Sequence, residues 1–390
     1  MRCVSQQALF GYQIRKTSMY ATTQNPSLLK TKQHYAFLDG LRGIAAIAVV
    51  IFHFMEIATP DYKDNFIAHS YLAVDFFFCL SGFVIAYAYD NKIRQIGTAS
   101  FLKLRLIRLH PLVIICSVIG LLAFIFDPFS NLHAKFTTTQ VLLLFLSSCF
   151  LIPYPLVPER YFNLFHLNPP TWSLFWEYIA NVFYVLVLFK QSNKILRCLV
   201  LLAAFLLGYE SYRSGYLGVG WGGDNFIGGG IRIFYSFLAG MLVYRTNWII
   251  RTKLRFIPLA ALLALVFFIP FSESLNWVID PLLVIFYFPF LIALGAGTGV
   301  NSTPSAICKF LGNISYPLYM VHYPFIWIFM SYVERYKPAL GHMAIIIPVA
   351  VMLLIGLAYL IMVTLDIPFR QYLKDKMKKH LSPKEASQSA

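Results

Sequence analysis

Long apolar segments recur along this chain and constrain its fold more than any other feature. Runs of about 20 mostly apolar residues alternate with short polar linkers, and about 20 residues is the length that an α-helix needs to cross a bilayer. The composition agrees, since 58% of the residues are hydrophobic and only 13% are charged, against about 25% in soluble proteins. The sequence lacks the alternating ten-residue segments of membrane β-barrels. It therefore predicts an all-α, polytopic membrane protein.

The charged linkers between the apolar segments predict how the chain is oriented. The formal net charge is +15, and most basic residues lie between apolar segments, which favours a topology signal over nucleic-acid binding. The linkers that follow 70–89, 171–189 and 227–245 are basic. Because basic loops stay on the cytoplasmic side, these linkers and both termini are predicted to be cytoplasmic.

One apolar segment is too short for a full crossing. Residues 136–157 have an apolar core of only about 12 residues, bracketed by polar residues and prolines. This segment is predicted to be a short re-entrant or interfacial helix whose flanks both face outward. The predicted transmembrane helices, about ten in all, lie near 36–57, 70–89, 101–126, 171–189, 195–212, 227–245, 255–272, 277–296, 310–331 and 342–365.

Two polar tails flank the membrane region. Residues 1–34 resemble a transit peptide in composition but are interpreted as a basic cytosolic tail, with Met19 an equally plausible start. Residues 35–370 are predicted to form the integral-membrane domain, and residues 371–390 a second basic cytosolic tail. The glycine-rich stretch 218–230 is predicted to be a flexible loop. The six cysteines show no CxxC spacing, so neither a metal site nor a disulfide framework is predicted.

Four ionisable residues stand at similar depths inside predicted crossings. They are His53, Asp75, Glu177 and His322. An ionisable side chain within a membrane span is costly and marks a functional site by default. Two imidazoles and two carboxylates at one level suit proton transfer, because a carboxylate that accepts a proton from one imidazole nitrogen leaves the other nitrogen basic. The alternative is a set of hydrogen bonds that hold the helices together.

Arginines mark the cytoplasmic ends of two predicted spans. Arg105 and Arg108 are three residues apart and therefore share one helix face at the start of the third span. Arg42, near the start of the first span, can join them. Guanidinium groups match phosphate oxygens bidentately, so the pair is a candidate phosphate site. The alternative is ordinary anchoring to lipid headgroups.

Five segments, taken in order, resemble the membrane-bound acyltransferase-3 family over about residues 35–370. They read LDGLRGIAAIAVVIFH, VDFFFCLSGFVI, FLKLRLIRLHP, NPPTWSLFWEY and LGNISYPLYMVH. The resemblance aligns the first-span histidine and arginine of the family with His53 and Arg42, and its RxxR motif with Arg105 and Arg108. It also aligns the family's SGF and WSLxxE motifs with SGF and WSLFWE of this chain. The last span closes with DIPFR, in which Asp366 replaces the more familiar glutamate.

The resemblance implies an O-acyltransferase of the bacterial cytoplasmic (inner) membrane. Such an enzyme moves an acyl group, usually acetyl, from cytoplasmic acyl-CoA to a hydroxyl of an envelope or exported carbohydrate, as in polysaccharide O-acetylation. Arg42, Arg105 and Arg108 would bind the phosphates of acyl-CoA or acetyl-CoA, and no metal is implied. The acceptor stays open among a glycan, a lipid-linked glycan, peptidoglycan and a small secreted metabolite.

The ionisable residues acquire roles from the same resemblance. His53 would act as a general base, with Asp75 or Glu177 orienting its ring, or as a nucleophile that carries the acyl group. His322 would be a second proton carrier. Ser81 is a candidate oxyanion donor, although a small helix-packing residue is the simpler interpretation.

Two other classes of function remain open from the sequence. A proton-coupled membrane transporter could use the same intramembrane histidines and carboxylates, but the sequence lacks the internal repeat typical of many transporters. A lipid-binding scaffold would need no layer of ionisable residues. Membrane lipids are expected partners in every case, and nucleic acid is not.

Overall fold

The structure, a computed structural model, describes residues 35–298 and 306–381. The predicted N-terminal tail 1–34 and the end of the chain, 382–390, lie outside the described residues. Within the described ranges, helices joined by loops make up the fold, and only two isolated β-bridges occur, Asn163 with Gly222 and Thr252 with Thr298. The all-α prediction is confirmed.

Fourteen α-helices occur in the described residues. They are α1 (Ala36–Ala58), α2 (Ala73–Tyr89), α3 (Ile93–Ile96), α4 (Thr98–Ile125), α5 (Thr138–Phe150), α6 (Thr171–Leu186), α7 (Asn193–Ser214), α8 (Phe226–Arg245), α9 (Phe256–Phe267), α10 (Asn276–Leu282), α11 (Phe288–Gly297), α12 (Ala306–Tyr336), α13 (Leu340–Ile361) and α14 (Ile367–Leu381). A 3₁₀ turn, Ala68–Leu72, leads into α2. The π-helical turns Leu283–Tyr287 and Met362–Asp366 join α10 to α11 and α13 to α14.

In the described part of the chain, seven helical segments are long and apolar enough to cross a membrane. They are Ala36–Ala58, Ala68–Tyr89, Thr98–Ile125, Asn193–Ser214, Phe226–Arg245, Asn276–Gly297 and Leu340–Met377. Three other predicted crossings coincide with α6, α9 and α12, of which α6 has 16 residues and α9 has 12. The finding supports a multi-pass membrane protein, whereas the count of about ten crossings and the side of each terminus stay predictions.

The short segment predicted to be re-entrant or interfacial forms α5, a helix of 13 residues. A capping box begins this helix, in which the Thr137 side chain accepts from the backbone of Gln140 and the Gln140 side chain accepts from the backbone of Thr137. Such boxes satisfy backbone donors that a helix start leaves unpaired. The prolines that follow α5 then stop the helix from continuing toward α6.

Small residues allow α1 and α12 to lie close together along much of their length. A Cβ atom added at Gly43 would lie 2.5 Å from the backbone oxygen of Leu311, and one at Gly312 would lie 2.7 Å from Cβ of Asp39. Close approach of helix backbones at small residues is the usual mode of packing in membranes. It brings the histidine of α1 against the histidine of α12.

Glycines also fix the approach of α2 to α8. A Cβ atom added at Gly82 would lie 2.0 Å from the backbone oxygen of Phe237, and one at Gly240 would lie 1.8 Å from that of Cys79. An ion pair lies at each end of this helix pair, between Asp75 and Arg232 at one end and between Asp90 and Arg245 at the other. The glycine of the SGF motif is therefore explained by packing.

Gly82→Ala is expected to destabilise the protein, because the added methyl group forces α2 and α8 apart. Overpacking of this kind costs about 1–3 kcal/mol, which thermal unfolding of the purified protein in detergent would detect. The matched control is Gly356→Ala in α13, where a Cβ atom meets nothing within 4 Å. Equal unfolding midpoints for the two variants would contradict the close contact of α2 with α8.

Candidate active site

A cavity of about 500 Å³ lies at one end of the helical bundle. The end of α1, the end of α12 and three loops, 59–67, 151–170 and 215–225, contribute to its wall. These are the loops that the sequence predicts to face outward, away from the basic linkers. Aromatic side chains dominate the wall. They include Phe52, Tyr62, Tyr71, Tyr161, Trp172, Trp221, Tyr319, Tyr323 and Trp327.

His53 lines this cavity together with a carboxylate one turn further along α1. Nδ1 of His53 lies 2.5 Å from Oε2 of Glu56, and the two side chains are 20% and 29% exposed. Residues three apart on a helix share one face, so the backbone itself sets this contact. With Glu56 ionised, Nδ1 carries the proton and Nε2 is left as the basic nitrogen of the ring.

Tyr62 completes a three-residue chain of hydrogen bonds. Its hydroxyl donates to Oε1 of Glu56 at 3.0 Å, while Oε2 faces His53. Burial raises the pKa of Tyr62 well above its ordinary value, and the neighbouring Glu56 carboxylate raises the pKa further. Tyr62 therefore keeps its proton through the neutral range, and Glu56 keeps a donor on the oxygen that does not face His53.

The structure brings together the two histidines that the sequence places at similar depth. The rings of His53 and His322 stack with centroids 5.4 Å apart and an interplanar angle of 20°. His322 is fully buried, and its Nδ1 lies 3.1 Å from the backbone oxygen of Leu318. Nε2 of His322 has no hydrogen-bond partner among the described residues. Tyr323 lies edge-on to the His53 ring, with centroids 4.7 Å apart.

The two carboxylates predicted to orient His53 lie elsewhere. Asp75 is fully buried and accepts from Nε and Nη2 of Arg232 at 3.2 and 2.6 Å. Glu177 accepts from Ser81 at 2.5 Å and from Arg105 at 3.1 Å. In this structure neither carboxylate is the hydrogen-bond partner of His53, whose Nδ1 faces Glu56 instead, and a catalytic role for Asp75 or Glu177 stays a prediction. A buried guanidinium needs a counter-charge, and each of these carboxylates supplies one.

The three arginines of the predicted phosphate site differ in their surroundings. Arg42 donates to the Ser315 hydroxyl and to the backbone oxygen of Gly312, both at 2.8 Å, and pairs with Asp39 at 3.3 Å. Arg105 is buried against Glu177. The side chain that remains open is Arg108.

Arg108 is exposed, and within 35–298 and 306–381 it forms no ion pair or hydrogen bond. It lies within electrostatic reach of both Arg42 and Arg105. The cavity around His53 is lined by none of these three arginines. Arg42 and His53 are eleven residues apart on α1, so about 16 Å of helix separates the two regions.

Sequence reasoning missed Glu56, Tyr62 and Arg232 in this region. Glu56 belongs to HFME, and its i, i+3 spacing from His53 indicates that the two side chains share one helix face. A charged residue at the end of a span is common, however, so the spacing alone does not distinguish Glu56 as a site residue. Arg232 lines the cavity and is 1% exposed. It lies within the predicted crossing 227–245, two residues after three glycines, and is not among the ionisable residues predicted to form the site. The DIPFR motif forms a local ion pair, in which Arg370 contacts the buried Asp366 at 2.5 Å.

Comparison with known proteins agrees with this architecture. Residues 35–365 match the family model described as an acyltransferase domain, that of the acyltransferase-3 family. The chain is 35% identical over 162 residues to "Protein 2 in picA locus" of Rhizobium radiobacter, a match that covers 39% of this chain and 81% of that protein. No solved structure matches the chain. Because the family match spans most of the chain, this protein belongs to the acyltransferase-3 family and is a multi-helix membrane acyltransferase.

Proposed function

We propose that this protein moves an acyl group, preferentially acetyl, from acyl-CoA to a hydroxyl of an envelope or exported carbohydrate. The observation that carries the proposal is the hydrogen-bonded His53, Glu56 and Tyr62 in the wall of a cavity large enough for a sugar. Family membership supplies the reaction class, and the cavity supplies a place for the acceptor. Acyl-CoA is the donor, and the bacterial cytoplasmic membrane is the proposed location.

The His53–Glu56 pair suits either of two routes. As a general base, Nε2 takes the proton of the acceptor hydroxyl while that oxygen attacks the thioester carbonyl, and the departing CoA thiolate then receives the proton. As a nucleophile, Nε2 takes the acyl group and CoA leaves as the thiolate; the acceptor hydroxyl then attacks the acyl group, the C–N bond to Nε2 breaks, and the freed imidazole takes the hydroxyl proton and passes it to the thiolate. Both routes need an imidazole that is basic at Nε2 and an imidazolium that a carboxylate stabilises. Glu56 meets both needs.

The aromatic wall supports a carbohydrate acceptor. Trp172, Trp221 and Trp327 all face the cavity, together with Asn163 and Tyr161. Indole rings offer large apolar faces, and Tyr and Asn add hydrogen-bonding groups at their edges. A sugar ring has C–H faces and hydroxyl edges, so both kinds of group find partners.

The arrangement of charges supports donor entry from the opposite end. Arg42, Arg105 and Arg108 gather near the basic linkers, about 16 Å of helix from His53. The extended pantetheine arm of CoA covers a distance of that order, so the phosphates can stay at the arginines while the thioester reaches the imidazole. Arg108 is proposed to contact the phosphates directly, flanked by Arg42 and Arg105.

His322 is proposed as a second proton carrier beside His53.

Arg108→Ala is expected to raise the KM for acyl-CoA by about tenfold or more and to leave the KM for the acceptor unchanged. A hydrogen bond to a charged group contributes about 1.5–3 kcal/mol, which corresponds to that factor. Steady-state kinetics with each substrate varied in turn would measure both constants. Lys103→Ala, an exposed cation earlier on the same helix, is the control. Equal effects of the two variants would mean that Arg108 does not bind the donor.

The function itself is tested by following both products. Membranes that contain the protein are given radiolabelled acetyl-CoA, and release of CoA thiol is measured beside label in the glycan fraction. Envelope glycans from cells with and without the gene are compared by mass spectrometry. A proton-coupled transporter would move substrate without consuming acyl-CoA. Absence of CoA release from membranes with correctly inserted protein would reject the proposal.

A further inference from the structure

The glycine-rich stretch predicted to be a flexible loop forms part of the cavity wall. We call residues 215–225 the roof loop, because Gly218 and Trp221 within it line the cavity. The Asn225 side chain accepts from the backbone amides of Gly220 and Gly222 at 2.8 and 3.0 Å. These bonds give the loop a defined internal shape.

The roof loop is also attached to its surroundings on three sides. The backbone oxygen of Trp221 accepts from Leu164 in the neighbouring loop at 3.3 Å. Asp280 accepts from the backbone amide of Leu217 at 2.8 Å and from the hydroxyl of Tyr71 at 2.9 Å. The third attachment is the guanidinium of Arg232, and it differs from the others because a single side chain joins three parts of the cavity wall to the buried carboxylate of Asp75.

Arg232 lies on α8 and is almost completely buried. Nη1 donates to the backbone oxygen of Val219 in the roof loop at 2.7 Å, and Nη2 donates to the backbone oxygen of Tyr71 at 2.9 Å. Nε and Nη2 together hold Asp75, while the guanidinium lies 5.3 Å from the centre of the Trp172 ring. Val219 is part of the roof loop, and Tyr71 and Trp172 line the cavity.

The second ion pair of the same helices shows what Arg232 adds. Arg245, at the other end of α8, holds both oxygens of Asp90 at 2.7 and 3.0 Å. Its Nη1 donates to the backbone oxygens of Leu188 and Gln191, in the linker after α6. The two arginines thus join α2 to α8 with the same chemistry. Only Arg232 reaches backbone and rings of the cavity wall.

A buried ion pair is not needed merely to hold two helices together. Removing two charges from water costs several kcal/mol per ion, and apolar residues of similar volume often stabilise as well or better. The planar guanidinium instead offers five donors in a fixed fork, which sets the relative positions of several acceptors at once. This property is what a cavity wall built from a loop, a turn and a helix requires.

From these contacts we infer that Arg232 is a positioning residue, which with Asp75 fixes the roof loop and Trp172 and thereby sets which acceptors reach His53. The inference rests on the proposed function in so far as the cavity takes the acceptor. Asp75, placed by sequence reasoning among the catalytic residues, becomes the partner that holds Arg232 in place.

Arg232→Lys and Arg245→Lys form the test, because lysine keeps the charge and loses the fork. We expect Arg232→Lys to raise the KM for the acceptor by about tenfold, with the KM for acyl-CoA unchanged. Hydrogen–deuterium exchange of peptides covering 216–225 should be faster in this variant than in the wild-type protein. Arg245→Lys should lower the thermal midpoint while both KM values and the exchange of the roof loop stay at wild-type levels.

The exchange measurement separates this inference from the proposed function. A wild-type protein that consumes no acyl-CoA would reject the function, whereas the roof-loop exchange in the two variants would still decide the role of Arg232. Unchanged exchange and an unchanged acceptor KM in Arg232→Lys would overturn the inference. If that variant does not accumulate, Asp75→Asn with Arg232→Gln removes both charges together, and wild-type exchange in this double variant would overturn the inference equally.

Discussion

His53→Ala is expected to reduce acyl transfer by about 10³-fold or more while the protein still inserts into the membrane. The reason is that alanine removes the imidazole that, among the described residues of the cavity wall, combines a basic nitrogen with a hydrogen-bonded carboxylate. Proton transfer by a positioned side chain contributes about 10²–10⁴-fold, and a lost nucleophile costs at least as much. The measurement is the initial rate of CoA release at saturating acyl-CoA and acceptor, normalised to the amount of inserted protein.

A matched control distinguishes the loss of a catalytic histidine from the effect of replacing any histidine in the protein. His342 lies exposed in α13 and is away from the cavity wall, so His342→Ala should transfer acyl groups at the wild-type rate. Wild-type transfer from His53→Ala would remove His53 from the reaction altogether. The wild-type protein distinguishes the two routes, because only the nucleophilic route leaves an acyl group on His53 when acyl-CoA is supplied without acceptor. Mass spectrometry of the α1 peptide would detect that group.

The fold could be predicted from the sequence because the bilayer imposes a strong rule. A membrane span needs about 20 apolar residues in a helix, so each span can be recognised in the sequence as an apolar segment of that length. The rule works less well for α6 and α9, whose helices of 16 and 12 residues are shorter than the predicted crossings. Loops such as 215–225 follow no comparable rule, since their shape depends on side chains from distant helices.

For the site residues, the sequence predicts only the level at which each one lies within the membrane. Each residue of a helix advances the chain by 1.5 Å, so the level of His53 and His322 follows from their positions in the spans, and the rings are found stacked. The choice of neighbouring helix does not follow from the same arithmetic. Asp75 and Glu177 stand at suitable depths too, but the packing of α2 on α8 and of α4 on α6 gives them Arg232 and Arg105 as partners.

Glu56→Gln is expected to lower the rate at saturating substrate by about 10²–10⁴-fold, with smaller effects on either KM. Glutamine preserves the size of the side chain and still accepts from Tyr62. Its uncharged amide no longer stabilises the imidazolium that forms during proton transfer, and its N–H group favours the tautomer in which Nε2 carries the proton. In hydrolases with a histidine and a carboxylate, the corresponding amide substitution has an effect of this size.

The chain offers a close control for this substitution in Glu334, which lines the same cavity but is 57% exposed at the end of α12. Glu334→Gln removes the same charge from the same cavity without touching His53, so its rate should stay near the wild-type value. Tyr62→Phe should fall between the two variants, because it removes one hydrogen bond from Glu56 and leaves the carboxylate on His53. A graded loss in the order Glu56→Gln, Tyr62→Phe, Glu334→Gln follows from this geometry. Equal rates for Glu56→Gln and Glu334→Gln would show that His53 works without its carboxylate.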